Sequence, residues 1–279
     1  MILSYIGGDE IIVDNIVALL PKGQIFIEAF GGSGAVSRRV AERGMYERVI
    51  LNDKDYYVYS AYYILKYHPE IFDTICDFIL YFKKLCENGE KQGIKLLLKQ
   101  VAREISQGLI KDVVEAGFWA VVLSLVAVNW RHGNPMLKSL NRRYVGDRCK
   151  PYLMERYKVL QHIDIMNMDG LELVRKYDRK GVVIYIDPPH IGYNYYRLNF
   201  TPQQAITLAE TLANIKHAKV LLKLSSNDLK YYEPLLKNWR KTSLKYLVQI
   251  TIRANTKKKI TSFHFLYNYD YGLERFLGL

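Results

Sequence analysis

Cysteine pairs are missing from this chain of 279 residues. Cys76, Cys86 and Cys149 form no CxxC and no His/Cys cluster, so neither a disulfide framework nor a metal site is expected. The reduced interior of a cell is the compartment that this usage fits. The start, MILSYIGGDE, lacks the basic n-region and long apolar h-region of a signal peptide. The longest apolar stretch, Phe118 to Val128, is far short of a membrane span. No internal repeat and no low-complexity tail occurs. These absences point to a soluble, cytoplasmic protein without a membrane partner, expected as a monomer. Acid is also scarce: 28 Asp and Glu face 40 Lys and Arg, a net charge of +12. That balance favours a polyanionic partner, of which nucleic acid is the commonest. Tyrosine, in contrast, is abundant at 23 residues. Aromatics interleaved with basic residues suit stacking on bases, although many will be half-buried packing residues. The apolar fraction of 49% predicts a substantial core.

The order of elements is that of an α/β protein. An amphipathic helix carries Ile12, Ile16, Leu19 and Leu20 at helical spacing. A short strand, Gln24 to Glu28, opens into Ala29-Phe30-Gly31-Gly32-Ser33-Gly34 and a helix through Arg43. Strand, glycine turn and helix begin a dinucleotide-type βα unit, in which backbone N–H groups meet a ligand. A second strand, Arg48 to Leu51, ends in Asn52-Asp53, where an acid suits a ribose hydroxyl pair. A nicotinamide Rossmann enzyme is the bland alternative. Against it, the turn is not GxGxxG, and Glu28 would be a poor neighbour for a pyrophosphate but a good one for a cationic cofactor such as S-adenosylmethionine.

Helical patterns then cover Tyr56 to Lys66, Ile71 to Leu85, Ile94 to Ile105 and Val113 to Val128, interrupting the alternation as an insertion. A basic loop follows from Asn129 to Lys150, with Arg131, Lys138, Arg142 and Arg143 among residues suited to phosphates or base edges. Strands resume near His162 to Ile165, and Asp169 falls where the third would end, as a helix N-cap or a partner for an adenine amino group. The fourth strand, Val182 to Ile186, delivers Asp187-Pro188-Pro189-His190. Prolines remove two backbone donors, so this corner reads either as a rigid turn or as an acceptor-rich grip for an amino group. A polar aromatic loop with Tyr193, Tyr195 and Tyr196 follows, suited to closing over a substrate. A helix from Thr201, a fifth strand from Lys219 to Leu224 and a terminal hairpin complete the chain. The hairpin is expected over Tyr246 to Arg253 and Ser262 to Asn268, joined by a basic loop with Lys257 and Lys258.

The motif order resembles the Dam-type DNA adenine-specific methyltransferases. Tyr5-Ile6-Gly7-Gly8-Asp9 resembles their opening Trp-Ala-Gly-Gly-Lys turn, and Phe26 to Gly34 their Phe-x-Glu-Pro-Phe-x-Gly-x-Gly motif. Asn52-Asp53, Asp187-Pro188-Pro189-His190 and Ser226-Asn227 resemble three further strand ends, the second being the catalytic Asp-Pro-Pro-Tyr. The resemblance implies a Rossmann-like S-adenosylmethionine-dependent methyltransferase sheet (residues 1–60 and 160–279) with an inserted helical target-recognition domain (61–159). It implies that Tyr5, Gly7, Gly8, Glu28, Phe30, Gly31, Gly32, Ser33, Gly34, Asp53, Asp169 and Asp187 surround S-adenosylmethionine. Asp187 and the Pro188 carbonyl would grip a flipped-out adenine's amino group, Pro189 would stiffen the corner, and His190 would stack on the base. Double-stranded DNA would contact Asn129, Arg131, Lys138, Arg142, Arg143, Lys257 and Lys258. Asp9, Ala29 and His190 depart from the family's usual Lys, Pro and aromatic residue. An RNA or cytosine-amino methyltransferase, or a catalytically degenerate DNA-binding relative, remain open alternatives.

Overall fold

The computed structural model describes residues 3, 9–128, 136–137, 146–192, 197–252 and 255–270. A 3-10 turn (Asp9–Ile11) leads into α1 (Val13–Leu19). Next come β1 (Ile25–Glu28), α2 (Ala35–Glu42) and β2 (Arg48–Asn52). The helical block holds α3 (Tyr56–Tyr67), α4 (Phe72–Glu87), α5 (Lys91–Gln107) and α6 (Val113–Val126), then a two-residue ribbon of β3 (Ala127–Val128) and β4 (Met136–Leu137), and α7 (Cys149–Leu160). Alternation resumes with β5 (Asp164–Met166), α8 (Gly170–Lys176), β6 (Val182–Ile186), α9 (Pro202–Ala213) and β7 (Lys219–Ser225). A short α10 (Leu229–Tyr232) precedes the hairpin of β8 (Arg240–Ile252) and β9 (Asn255–Tyr267).

The seven-stranded sheet runs β5-β2-β1-β6-β7-β9-β8. Its first five strands are parallel, and β9 pairs antiparallel with both β7 and β8. The inner parallel strands β2, β1, β6 and β7 are largely apolar on both faces, as burial beneath helices requires, while the edge strand β5 is half-buried. Phe26, Val183, Tyr185 and Leu221 face the layer built by α1 to α7, while Ile27, Ile184, Ile186, Val220 and Leu222 face α8, α9 and α10. This is a doubly wound α/β sheet, as the sequence predicts. Its strand order reverses between β1 and β6, and in such sheets the crevice at the reversal holds the ligand.

The helical block lies on one face of the sheet and shares its core. Leu65, Phe72 and Leu153 belong to the same hydrophobic cluster as Phe26 and Leu51. The limits drawn from the sequence at 60/61 and 159/160 fall inside α3 and α7. Helix α7 lies beyond the helical segments expected from the sequence, and it takes in Cys149 and Lys150, which the sequence reading places at the end of the basic loop. Pro151 sits in the first turn, where no intrahelical N–H is needed. The terminal hairpin is also longer than expected. Residues 240–245 are too polar to announce a strand, yet an outer strand needs only one apolar face. Lys257 and Lys258 therefore lie within β9, opposite Ile250 and Gln249, and not in a connecting loop.

Helices α3 and α6 approach closely at Gly117. A Cβ there would stand 2.3 Å from the Ser60 carbonyl oxygen and 2.6 Å from the Ile64 side chain. Gly117→Ala should lower stability by about 1–3 kcal/mol, because overpacking outweighs the helix-propensity gain of roughly 1 kcal/mol. Urea unfolding checks this; a variant as stable as the parent would refute the close packing.

Candidate active site

The crevice opens at the carboxyl ends of β1, β2, β5 and β6. Its lining includes Glu28, Phe30 to Ser33, Asp53 to Asp55, Asp169 to Leu171, Asp187 to His190 and Leu198 to Phe200. The glycine turn is held against β2 by two contacts. The Gly31 amide donates to the Asn52 carbonyl at 2.7 Å, and the Gly32 amide donates to Asp53 Oδ2 at 2.8 Å. Glycine is required here on two counts. A Cβ on Gly31 would meet the Asn52 carbonyl oxygen at 2.8 Å, and Gly34 adopts φ 63° as the N-cap of α2. Asp53 Oδ1 also accepts from the Asp55 amide at 2.8 Å. These bonds orient the Asp53 carboxylate at the edge of the crevice that it lines.

Glu28 is buried, and its Oε2 accepts from the Ser37 amide at 2.7 Å, satisfying a first-turn donor of α2. It thus supports the helix as well as lining the crevice. Asp169 takes the helix N-cap role expected for its position and also lines the crevice. It caps α8 by accepting from the Leu171 amide at 2.8 Å, and it faces the crevice, paired with Lys54 at 2.8 Å. Burial pushes its carboxyl up, but the Lys54 ammonium and the helix amides outweigh that and hold it below the usual range. Phe30 lies flat against Gly170, where a Cβ would touch the ring at 2.7 Å. Its ring meets Phe200 edge-on at 5.9 Å. The two form an apolar ledge suited to a planar base, and Phe200 was not anticipated from the sequence.

At the Asp187 corner stands a partner that the sequence does not announce: Asp187 Oδ2 receives a hydrogen bond from Lys223 Nζ at 2.9 Å. His190 is likewise anchored, with Nδ1 2.8 Å from Asp228 Oδ2. The same oxygen accepts from Ser225 Oγ at 2.7 Å, and Oδ1 accepts from the Ile191 amide at 3.3 Å. The Asp228 carboxylate raises the His190 pKa against the opposing effect of burial, with Asp187 adding to the rise. Burial pushes Asp228 up, but the His190 and Ser225 bonds hold it below the carboxylate range. Arg197 braces the far wall by pairing with Asp55 at 3.1 and 3.2 Å, its guanidinium 5.2 Å from the Tyr57 ring centroid.

Of the residues expected to surround a cofactor, Glu28, Phe30, Gly31, Gly32, Ser33, Asp53, Asp169 and Asp187 line this one crevice, with Gly34 beneath them at the start of α2. Tyr5, Gly7 and Gly8 lie outside the described residues, as do Asn129, Arg131, Lys138, Arg142, Arg143 and Tyr193, Tyr195 and Tyr196. Residues missed by sequence reading are Lys223, Asp228, Arg197 and Phe200. Only Lys223 carried a signal, as a lone charge inside an otherwise apolar strand. Among the described residues no group of His, Cys, Asp and Glu is placed to hold a metal, and no helix is long and apolar enough to cross a membrane. The crevice concentrates carboxylates in a basic chain, and that donor set fits the sulfonium and ammonium groups of S-adenosylmethionine.

Because the folded pKa of His190 is raised, its pair with Asp228 stabilises the fold fully below about pH 6.5, and this contribution is lost as pH rises through the folded value. Asp228→Asn should lower the His190 titration midpoint relative to wild type and flatten that pH dependence. Proton NMR of the imidazole reads this directly, and an unmoved midpoint would exclude the pair.

Residues 5–94 match the family model described as D12 class N6 adenine-specific DNA methyltransferase. Among solved structures, precorrin 8w decarboxylase of Methanobacterium thermoautotrophicum is similar at 12% identity, over 93% of this chain and 89% of that one, with TM-score 0.37. A SAM-dependent O-methyltransferase of Thermotoga maritima matches at 9% identity, over 91% and 63%, with TM-score 0.38. An rRNA methylase of Streptococcus thermophilus matches at 7% identity, over 92% and 93%, with TM-score 0.36. No curated protein matches the sequence significantly. The glycine turn, Asp53 and the whole of β1 and β2 fall within the matched span, so the first half of the crevice is the part of the chain that is similar to the D12 class N6 adenine-specific DNA methyltransferases.

Proposed function

We propose that the protein methylates the exocyclic amino group of adenine in double-stranded DNA. The observation that carries this reading is the placement of Asp187-Pro188-Pro189 across the switch point from the glycine turn, in the same crevice. When bound there, S-adenosylmethionine supplies an electrophilic methyl group with a neutral thioether as leaving group. The chain's task is to present a poor nucleophile. The adenine amino nitrogen has its lone pair conjugated into the ring. Two acceptors, Asp187 and the Pro188 carbonyl, would hold its two hydrogens, favour a pyramidal nitrogen and aim the lone pair at the methyl. Positioning and electrostatics of this kind supply most of the catalysis. The carboxylate also stabilises the positive charge that develops on the nitrogen before its proton leaves.

A base inside a duplex cannot reach the crevice, so it must be flipped out. His190, held by Asp228, would pack against the flipped ring. The net charge of +12 supports a polyanionic substrate through phosphate neutralisation. On this reading the helical block 61–159 is the target-recognition region. Asn129, Arg131, Lys138, Arg142 and Arg143 beside it, with Lys257 and Lys258 on β9, would contact the DNA.

The test is transfer of a labelled methyl group from S-adenosylmethionine to DNA, with nucleoside analysis of the product. N6-methyladenine is expected. Label confined to cytosine or to RNA would replace this reading. Asp187→Ala should reduce kcat by about 10²–10³-fold with DNA affinity nearly unchanged, and equal activity of variant and parent would remove Asp187 from the mechanism.

A further inference from the structure

Lys223 is the most anomalous residue of the sheet. It interrupts Val220-Leu221-Leu222-Lys223-Leu224, a strand buried on both faces, and its side chain is only 3% exposed. Alternation points it to the face shared with Leu221, Tyr185 and Phe265. Its ammonium lies 4.9 Å from the Phe263 ring centroid and 2.9 Å from Asp187 Oδ2. The sheet register explains the last contact. Ile186 pairs with Leu222 in parallel, so the next residues, Asp187 and Lys223, are side by side and emerge on the same face.

Fold stability does not account for a lysine at this position. Replacing both partners of a buried ion pair by apolar residues of similar volume commonly matches or exceeds its contribution to stability, so the fold does not need the Lys223–Asp187 pair as such. What an ammonium does and methionine cannot is to fix one oxygen of the carboxylate. That defines the carboxylate plane and sets the direction in which the acid meets a substrate hydrogen. A carboxylate that must receive developing positive charge works best when it need not reorganise during the reaction. Lys223 does not itself line the crevice; it lies directly behind Asp187, which does.

We propose that Lys223 is a positioning residue for methyl transfer, acting through Asp187 by holding its carboxylate in the orientation that accepts the amino hydrogen. The proposal rests on the adenine methyltransferase reading above. It predicts a loss in kcat without a loss in binding.

The experiment compares steady-state methyl transfer by Lys223→Met, Lys223→Arg, Asp187→Asn and the Asp187→Asn/Lys223→Met double variant. Lys223→Met should lower kcat by about 10²-fold, with KM for DNA and for S-adenosylmethionine within about threefold of wild type. Lys223→Arg, which restores a cation, should recover at least about tenfold of that loss. In the double variant the lysine should no longer matter, so that kcat equals that of Asp187→Asn. A Lys223→Met enzyme within about twofold of wild-type kcat overturns the proposal, as does a loss seen only in KM. Should Lys223→Met fail to fold, Lys223→Gln, neutral but still a hydrogen-bond donor, takes its place under the same kcat and KM criteria. A double-variant kcat well below that of Asp187→Asn would show that the lysine acts by another route. Wild-type inactivity on adenine-containing DNA overturns the function and this role together, whereas an active wild type with an equally active Lys223→Met overturns the role alone.

Discussion

One buried carboxamide holds the strand ends of this crevice in place. Asn52 is fully buried, and its Nδ2 donates to the carbonyls of Ala29 at 2.9 Å and Met168 at 3.1 Å, while Oδ1 accepts from the Met168 amide at 2.9 Å. These bonds join the chain as it leaves β1, β2 and β5. Neighbouring strands stand about 4.8 Å apart, so the glycine turn, Asp53 and Asp169 become fixed neighbours once the three ends are tied. An asparagine satisfied on both its donor and acceptor sides can be buried without the penalty of an orphaned polar group. The crevice therefore inherits the rigidity of the sheet.

The electrostatics follow from the same economy of partners. Six acids ring or underlie the crevice in a chain of positive net charge, and each has a defined donor: Ser37 for Glu28, Gly32 and Asp55 for Asp53, Tyr57 and Arg197 for Asp55, Lys54 for Asp169, Lys223 for Asp187, and His190 for Asp228. Half of these donors are backbone amides at turns or helix starts, which carry no mobile charge. Carboxylates held this way are oriented before any ligand arrives. An acid-lined crevice inside a basic chain separates two tasks: the local field suits a cationic cofactor, and the overall charge suits a phosphate-bearing substrate.

Much of the frame was legible in the order of residues. The strands from Ile25, Arg48, Val182 and Lys219 were marked by short apolar runs between turn residues, and the glycine turn and strand-end acids by their spacing. Four helices of the inserted block were marked by their apolar periodicity. Helix α7 was hidden by a proline in its first turn and by the basic residues before it. The outer length of β8 was hidden because an edge strand can be polar on most of its surface. Among site residues, Asp53, Asp169 and Asp187 could be named because each ends a strand. Lys223, Asp228, Arg197 and Phe200 could not be paired with their partners, which lie 36 to 170 positions away in directions that local pattern does not encode.

By itself the sequence determined the kind of unit: alternating strands and helices, a backbone cradle after β1, an acid after β2, and a carboxylate stiffened by two prolines after β6. These depend on neighbours in the chain, through φ restrictions, capping and hydrophobic period. Only the tertiary structure decided that Asp187 is gripped from β7 and His190 from the turn that follows it, because that depends on which strand lies beside β6 and in what register. The parallel pairing that sets Ile186 against Leu222 turns a stray lysine in an apolar run into the partner of the acid at the strand end.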